Sequence, residues 1–520
     1  MKPRLRLIFR WDHLALLVCL TTIAATAFLS SKIFENLPHI EDEVAYVWQA
    51  NVIARGDLTL PSPVCPKCFL VPFVVDYNGL RFGKYPIGWP VVLAFAVRLG
   101  KRAWLPPLLA GMNIGLAYQL FKKIVDKKIA LLAVFLIASS PFFLMNASSL
   151  LAHNWSLFLT LTFILGWFDV FLANGRTPKF LTVGVAALSL GVLALTRPMS
   201  ALGIALPFAV HGAFILFGKD KTARHYVLMI GCIAGLIASL HFVWQYAVTG
   251  SPWLNPYELW WSYDKIGFGP GVGLQDGGYS LRAAYANTNF SLWVGSHDLF
   301  GWPFLSYTLI PFGIFALFRN KKAWLVGLVF PSLIFVYSFY WIGSWLFGPR
   351  YYFEGLIGIS MLTAAGIHFL VKKISLILPR CLPQSFYSVR FIPITSLVVM
   401  LILGNFIFYL PLRLTSLQGL YGHHKGRLEP FLNPQAQELT PALVIVHMQH
   451  DWVEYGTLLE LSNPYNDTPF VFTFSRGEEM DKQVAAQFPE RNHFHYYADE
   501  PYKFFTAPHS FEIFETPATD

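Results

Sequence analysis

The stretch EDEVAYVWQANVIARGDLTLP, residues 41–61, decides how the rest of the chain is read. Glu41, Asp42 and Glu43 stand in a row, and Val44, Val47, Trp48, Ile53 and Ala54 follow at close to helical spacing. The spacing predicts a helix with its acids in the first turn. Acids there are favoured by the helix dipole alone. The functional reading is a general base: a carboxylate at a water–lipid boundary, beside a bound headgroup, takes a proton from an acceptor. At this level both readings stand.

The boundary follows from what flanks the stretch. Upstream, basic residues precede an apolar run at 13–31 with no small-residue cleavage site after Ser30, the pattern of an uncleaved signal-anchor helix. Downstream, 57–82 is rich in Pro and turn residues, and IGWPVVLAFAVRLG (87–100) is apolar but too short to span, so it reads as an interfacial helix. Across the 520 residues, 55% are hydrophobic and 13% charged, against about 25% charged in an average soluble domain. Mean hydropathy is +0.48. This excludes a disordered chain and points away from a soluble enzyme. The net charge of +9 is the kind that serves nucleic-acid binding. Here, however, it accompanies 47 Phe, 23 Tyr and 16 Trp in long apolar runs. The partner expected is the lipid bilayer, with no nucleic acid.

Eleven stretches are long and apolar enough for spans: 13–31, 104–121, 129–147, 153–173, 181–196, 200–217, 226–247, 303–318, 323–341, 351–370 and 392–410. The stretches 181–196 and 303–318 are short, and Ser139-Ser140-Pro141 predicts a kink in the third. If the eleven alternate, twenty of the 39 basic residues fall on one side: Lys2, Arg4, Arg6, Arg10, Lys122, Lys123, Lys127, Lys128, Arg176, Lys179, Lys219, Lys221, Arg224, Arg319, Lys321, Lys322, Lys372, Lys373, Arg380 and Arg390. By the positive-inside rule that side is cytoplasmic, with the N-terminus in and the C-terminus out. The fold expected is an all-α polytopic membrane bundle over 1–410. It carries a first outer loop (32–103) with juxtamembrane helices and a second outer loop (248–302). A small extracytoplasmic α/β domain is expected over 411–520.

Charges on the outer side should be few, so those present are informative. Lys84, in FGKYPIGWP (82–90), snorkels or holds an anionic headgroup. Arg350, in WLFGPRYYFEG (345–355), suits a phosphate bidentately; the alternative is a pair with Glu354 one helical turn on. Arg197, in LTRPMS, invites the same reading. His153 and His297, the latter beside Asp298, contact a headgroup, ligate a metal, or are simply hydrogen-bonded. Cys65 and Cys68 (CPKC) have no second pair for zinc; they read as structural, a local disulfide outside the cytosol. GFGPGVGLQDGG (267–278) follows no strand and opens no helix, so it does not read as a phosphate loop. The sequence demands no cofactor, and its metal requirement is open.

These residues resemble a known family. Many spans, an acidic pair early in the first outer loop and then an amphipathic helix are the plan of the GT-C membrane glycosyltransferases. The 41–61 stretch is similar to the Asp-Glu segment of the protein O-mannosyltransferase and aminoarabinose (lipid A) transferase branch, family 39-like. GKYPIGWP is similar to that branch's Lys-Pro-Pro segment, with Tyr85 in place of the first Pro. LALTRPMSAL and FGPRYYFEG look like segments of bacterial members, and no large added repeat domain is present. The resemblance covers about 10–410. It implies the GT-C fold, a polyprenyl-phosphate-linked sugar donor entering from the membrane, and an acceptor glycan, lipid or protein entering from outside. Asp42 matches the catalytic Asp and Glu43 the second acid. Lys84, Arg350 and Arg197 would hold the donor phosphate. Glu41, Tyr46, Tyr85, His153, His297 and Tyr351 would line the site. Metal dependence varies within the family. The site would face the periplasm from a bacterial inner membrane. The competing readings are a transporter or flippase of lipid-linked sugars and a non-catalytic envelope assembly protein. A transporter would place its charges near the midplane, and an assembly protein would not need the Asp-Glu pair.

Overall fold

The computed structural model describes residues 11–173, 179–377, 392–449 and 451–509. Lys2, Arg4, Arg6, Arg10, Arg176, Arg380 and Arg390 of the charge pattern lie outside the described residues, as does the end of the chain from 510.

Apolar helices make most of the fold. They are α1 (Trp11–Lys32), α2 (Glu41–Ala54), α3 (Gly88–Arg98), α4 (Leu105–Lys122), α5 (Lys127–Ala138), α6 (Pro141–Ser148), α7 (His153–Phe171), α8 (Phe180–Ala194), α9 (Pro198–Leu216) and α10 (Lys221–Thr249). Then come α11 (Pro256–Trp260), α12 (Leu281–Asp298), α13 (Ile310–Leu317), α14 (Lys321–Gly327), α15 (Val329–Tyr337), α16 (Leu356–Ile377) and α17 (Ile392–Gly404). Among the described residues six helices are long and apolar enough to cross a membrane, or seven if the bent pair α5–α6 is one span. The other four predicted stretches fall short of that length and hydropathy test. The stretch 104–121 is the continuous helix α4, and α8 is a shorter apolar helix; 303–318 shortens to α13, and 323–341 is divided into α14 and α15.

The kink expected at Ser139-Ser140-Pro141 is a 60° bend. Ser140 accepts a hydrogen bond from the Phe143 N–H at 3.1 Å, and Pro141 occupies the first turn, where it has no helical partner to lose. Helix α13 lies against α16, where a Cβ on Gly313 would meet the Leu362 carbonyl. Small residues let membrane helices approach in this way, since lipid offers no hydrophobic drive between them.

Residues 32–103 hold α2, a three-stranded antiparallel sheet and α3. The sheet order is β1 (Leu60–Pro61), β3 (Leu80–Gly83), β2 (Val74–Tyr77). Cys65 and Cys68 are joined as a disulfide. Gly88 opens α3 where a Cβ would strike the Leu195 backbone, and its N–H donates to the Leu195 carbonyl at 2.8 Å. That close approach ties the first loop to the segment carrying Arg197. Within 248–302 the sequence pattern predicts no helix at 281–298, where α12 forms. Its polar and aromatic residues alternate without a clear period, but Ser280 caps it by accepting from the Ala283 N–H at 3.2 Å.

The C-terminal unit contains a parallel sheet in the order β5 (Phe470–Phe474), β4 (Ala442–His447), β6 (Asn492–Tyr497). Its Trp452, Leu459 and Tyr465 pack on Val44, Trp48 and Val52 of α2. Arg55 pairs with Asp467 at 2.5 Å, Arg102 with Glu460 at 2.5 Å, and the Tyr465 hydroxyl donates to Asp57 at 2.7 Å. Exposed pairs of this kind add little each, so the buried Trp48 contact should dominate. Trp48→Ala is expected to weaken this docking by about 3–5 kcal/mol. Limited proteolysis should release the C-terminal unit faster than in the parent chain; equal rates would show that the docking does not depend on Trp48.

Candidate active site

The N-terminus of α2 has no side-chain oxygen at its cap, because the cap residue is Ile40. Glu43 supplies the missing acceptor. Its Oε2 accepts from the backbone N–H groups of His39 (2.8 Å) and Ile40 (3.3 Å), the reach-back half of a capping box. Its Oε1 accepts from the Leu150 N–H, in the turn between α6 and α7, at 2.6 Å. Glu43 is thus buried and occupied on both oxygens, and it does not line the cavity described next.

Asp42 points away from Glu43 into a cavity of about 870 Å³. Its Oδ1 accepts from the Tyr85 hydroxyl at 2.5 Å, and its Oδ2 lies 3.3 Å from both terminal nitrogens of Arg350. Burial pushes the Asp42 carboxyl up, but Arg350, the Tyr85 hydroxyl and Lys84 together outweigh it and hold the group below its ordinary range. It is therefore a carboxylate. Glu41 lines the same cavity, and burial and the neighbouring Asp42 raise its carboxyl.

The three cations predicted from the sequence all reach this cavity, each with a carboxylate partner. The Lys84 Nζ lies 3.4 Å from Asp264 and 3.7 Å above the Phe73 ring, with Trp261 and Tyr257 on its other sides. Burial pulls the Lys84 ammonium down from its ordinary value, against the pull of Asp264. Asp264 is itself buried and accepts from the Tyr340 hydroxyl (2.9 Å) and the Trp341 indole (3.1 Å). Arg197 caps α9, donates to Glu354 at 2.7 Å and to the Tyr337 hydroxyl at 3.2 Å. The sequence offered Glu354 as the partner of Arg350, and this is corrected. Residues 350–355 form a 3-10 segment with Tyr352 off helical geometry (φ −104°, ψ 18°), so α-helical spacing does not apply there. Arg350 turns to Asp42, and Glu354 turns to Arg197.

Tyr46, Tyr85, His153 and Tyr351 also line the cavity. Tyr46 lies 4.6 Å from Tyr85, and Tyr351 stacks on Tyr337 at 4.8 Å. His297 does not reach it: its ring sits against Phe304 at 4.3 Å and Trp293 at 4.9 Å. Asp264 escaped sequence reasoning because an acid in a Trp- and Tyr-rich loop carries no spacing signal. The cavity is closed from the C-terminal side by Tyr421–His423 and Asp451–Val453. Among the described residues no three His, Cys, Asp or Glu side chains meet as a metal-binding group.

No family model matches the chain, and no curated protein matches it. Among solved structures it is similar to ArnT from Cupriavidus metallidurans bound to undecaprenyl phosphate. The identity is 15%, over 92% of this chain and 88% of that one, with a TM-score of 0.55. It is similar also to the apo form of the same protein, at 13% identity over 91% and 88%, with a TM-score of 0.54. At these identities the likeness is one of fold: the chain has the GT-C fold that the 41–61 stretch and its flanks resemble.

The Glu43 pin has a pH signature. Burial raises its carboxyl from 4.5 to about 7, against its three backbone donors. Above 4.5 the unfolded chain gives up this proton before the folded one does, so the stability it contributes is whole below that pH and declines toward 7. Glu43→Gln leaves at least one of the three N–H groups unmet and should cost about 1–3 kcal/mol. The thermal midpoint should then fall less steeply across this window than in the parent chain. Parallel pH curves for the two proteins would refute the assignment.

Proposed function

We propose that the chain is an inverting glycosyltransferase that moves a hexosyl or pentosyl group from a polyprenyl-phosphate donor to an acceptor hydroxyl at the outer face of the membrane. The observation that carries this reading is the composition of one cavity. An ionised Asp42 lines it together with Lys84, Arg197 and Arg350. A transferase of this kind needs a base for the attacking hydroxyl and positive charge for the departing phosphate. The fold neighbour ArnT was solved with undecaprenyl phosphate, a ligand whose charge suits this cavity.

In the reaction, Asp42 accepts the acceptor's hydroxyl proton while that oxygen bonds to the anomeric carbon of the donor sugar. The bond from this carbon to the phosphate oxygen breaks on the opposite face, which inverts the centre, and polyprenyl phosphate departs with the electron pair. Arg350 has a double role. Before donor binding it faces Asp42, and an incoming phosphate competes for its guanidinium, whose planar fork suits a phosphate. Donor binding then loosens Asp42 from its partner as the acceptor arrives. The Tyr85 hydroxyl keeps the carboxylate oriented through the exchange. Glu43 acts as a positioning residue that fixes the helix beneath Asp42.

The proposed setting is a bacterial inner membrane. The N-terminus is inside, and eleven spans place the cavity on the periplasmic side. Residues 1–410 form the membrane domain and 411–520 an extracytoplasmic one. Purified in lipid nanodiscs, Asp42→Asn is expected to lower sugar transfer by about 10²–10⁴-fold while undecaprenyl phosphate still binds. Undiminished turnover would remove Asp42 as the base. Arg350→Ala should weaken undecaprenyl phosphate binding by about tenfold or more, the worth of a charge-assisted bond, with less effect on the thermal midpoint. Unchanged affinity would remove Arg350 from the donor site.

A further inference from the structure

His153 stands apart from the other polar groups of the cavity. It is 5% exposed, and neither ring nitrogen has a hydrogen-bond partner in the protein, yet the residue lines the cavity wall. A buried donor left unmet costs free energy comparable to a lost hydrogen bond, and in either neutral tautomer one ring nitrogen is a donor. The three cations of the cavity are already matched by Asp264, Glu354 and Asp42. Glu354 Oε2 beside Arg197 and one ring nitrogen each of His39 and His241 on the cavity wall are also unmet, but His153 is the wall residue with both ring nitrogens free of a protein partner.

Its surroundings select the ligand. His153 is the first residue of the 19-residue helix α7, and Arg197 caps the 19-residue helix α9. Both N-termini open on the cavity, where Leu151, Pro198 and Met199 are also wall residues. Helix N-termini favour anions. The imidazole stands edge-on to Phe353 at 6.0 Å, in the same 3-10 segment that carries Arg350. The ring is therefore held by the element that also positions that guanidinium. We propose that His153 donates an N–H hydrogen bond to a phosphate group bound between Arg197 and Arg350 at the N-termini of α7 and α9. The proposal rests on the donor reading above for the source of that phosphate.

The full chain in phosphatidylglycerol–phosphatidylcholine nanodiscs, with undecaprenyl phosphate and inorganic phosphate as separate probes, tests it. His153→Leu should weaken undecaprenyl phosphate binding by about tenfold or more. His153→Gln, which keeps an N–H donor, should stay within a few-fold of the parent. If the Leu variant fails to fold, the ring ¹⁵N signals of His153 in the parent chain decide. A shift on adding undecaprenyl phosphate is expected, and unmoved signals overturn the contact. Undecaprenyl phosphate that binds the parent and His153→Leu equally also overturns it, and leaves the lipid-donor reading standing. Inorganic phosphate that binds only with His153 intact, in a chain that ignores undecaprenyl phosphate, upholds the contact and overturns the lipid-donor reading.

Discussion

The carboxylate of Glu43 joins the helix that carries Asp42 to the membrane bundle, and the geometry of the cavity depends on that joint. Three backbone N–H groups converge on it, two from the start of α2 and one from Leu150. Without it the N–H groups of His39 and Ile40, at the entry to α2, and of Leu150 would be unmet in a buried setting, which is costly. The same turn near Leu150 is tied to the 32–103 segment a second time, since the Trp89 indole donates to the Leu150 carbonyl at 2.8 Å. Gln49, two turns along α2, donates to the Tyr85 carbonyl at 2.9 Å and so anchors the Lys84–Tyr85 segment to the same helix. One short helix thus sets Asp42, Tyr85 and Lys84 relative to one another and relative to the bundle that supplies Arg197 and Arg350.

Buried charges are expensive unless matched, and the cavity obeys that rule before any ligand arrives. Lys84 and Arg197 are held by carboxylates that are fully buried, Asp264 and Glu354. Arg350 and Asp42 are the least enclosed of the three pairs, with side chains 14% and 23% exposed. A phosphate entering the cavity therefore competes most easily for Arg350. The pairing that matches the Asp42 and Arg350 charges is also the one whose exchange would expose the proposed base, so stability and readiness to react are properties of the same contact.

The sequence made the membrane character, the acids at 41–43 and the cations that join them at one cavity legible, because each is written in composition, local spacing or charge asymmetry. Asp42, Lys84, Arg197 and Arg350, far apart in sequence, meet at one cavity. What the sequence could not carry was partner choice. Arg350 and Glu354 have helical spacing, but the backbone between them is 3-10 and they part; Glu354 instead meets Arg197, 157 residues away. Asp264 is invisible by pattern because its role exists only where three loop segments cross. At 303–318 and 323–341 the apolar content suffices for a span, but the helices are short: α13 covers Ile310–Leu317, and α14 and α15 meet at Leu328. Helix α12 was under-read because its two faces do not separate by polarity.

The order of residues 42, 43 and 44 explains why an acidic pair followed by an apolar residue suits this position. Successive side chains on a helix of 3.6 residues per turn point about 100° apart. Asp42 therefore faces the cavity, Glu43 the backbone around Leu150, and Val44 the C-terminal unit, where it packs with Trp48 beneath Trp452. Each face demands a different chemistry: an exchangeable carboxylate, a longer carboxylate able to reach back to its own helix start, and an apolar surface. Exchanging the two acids would send the shorter one toward Leu150 and leave the longer one in the cavity. The pin and the carboxylate facing Arg350 would both be lost, although the composition would be unchanged. The C-terminal unit rests on the third face of this same turn, so the wall it lends to the cavity at Tyr421–His423 and Asp451–Val453 is registered to Asp42 through a single helix.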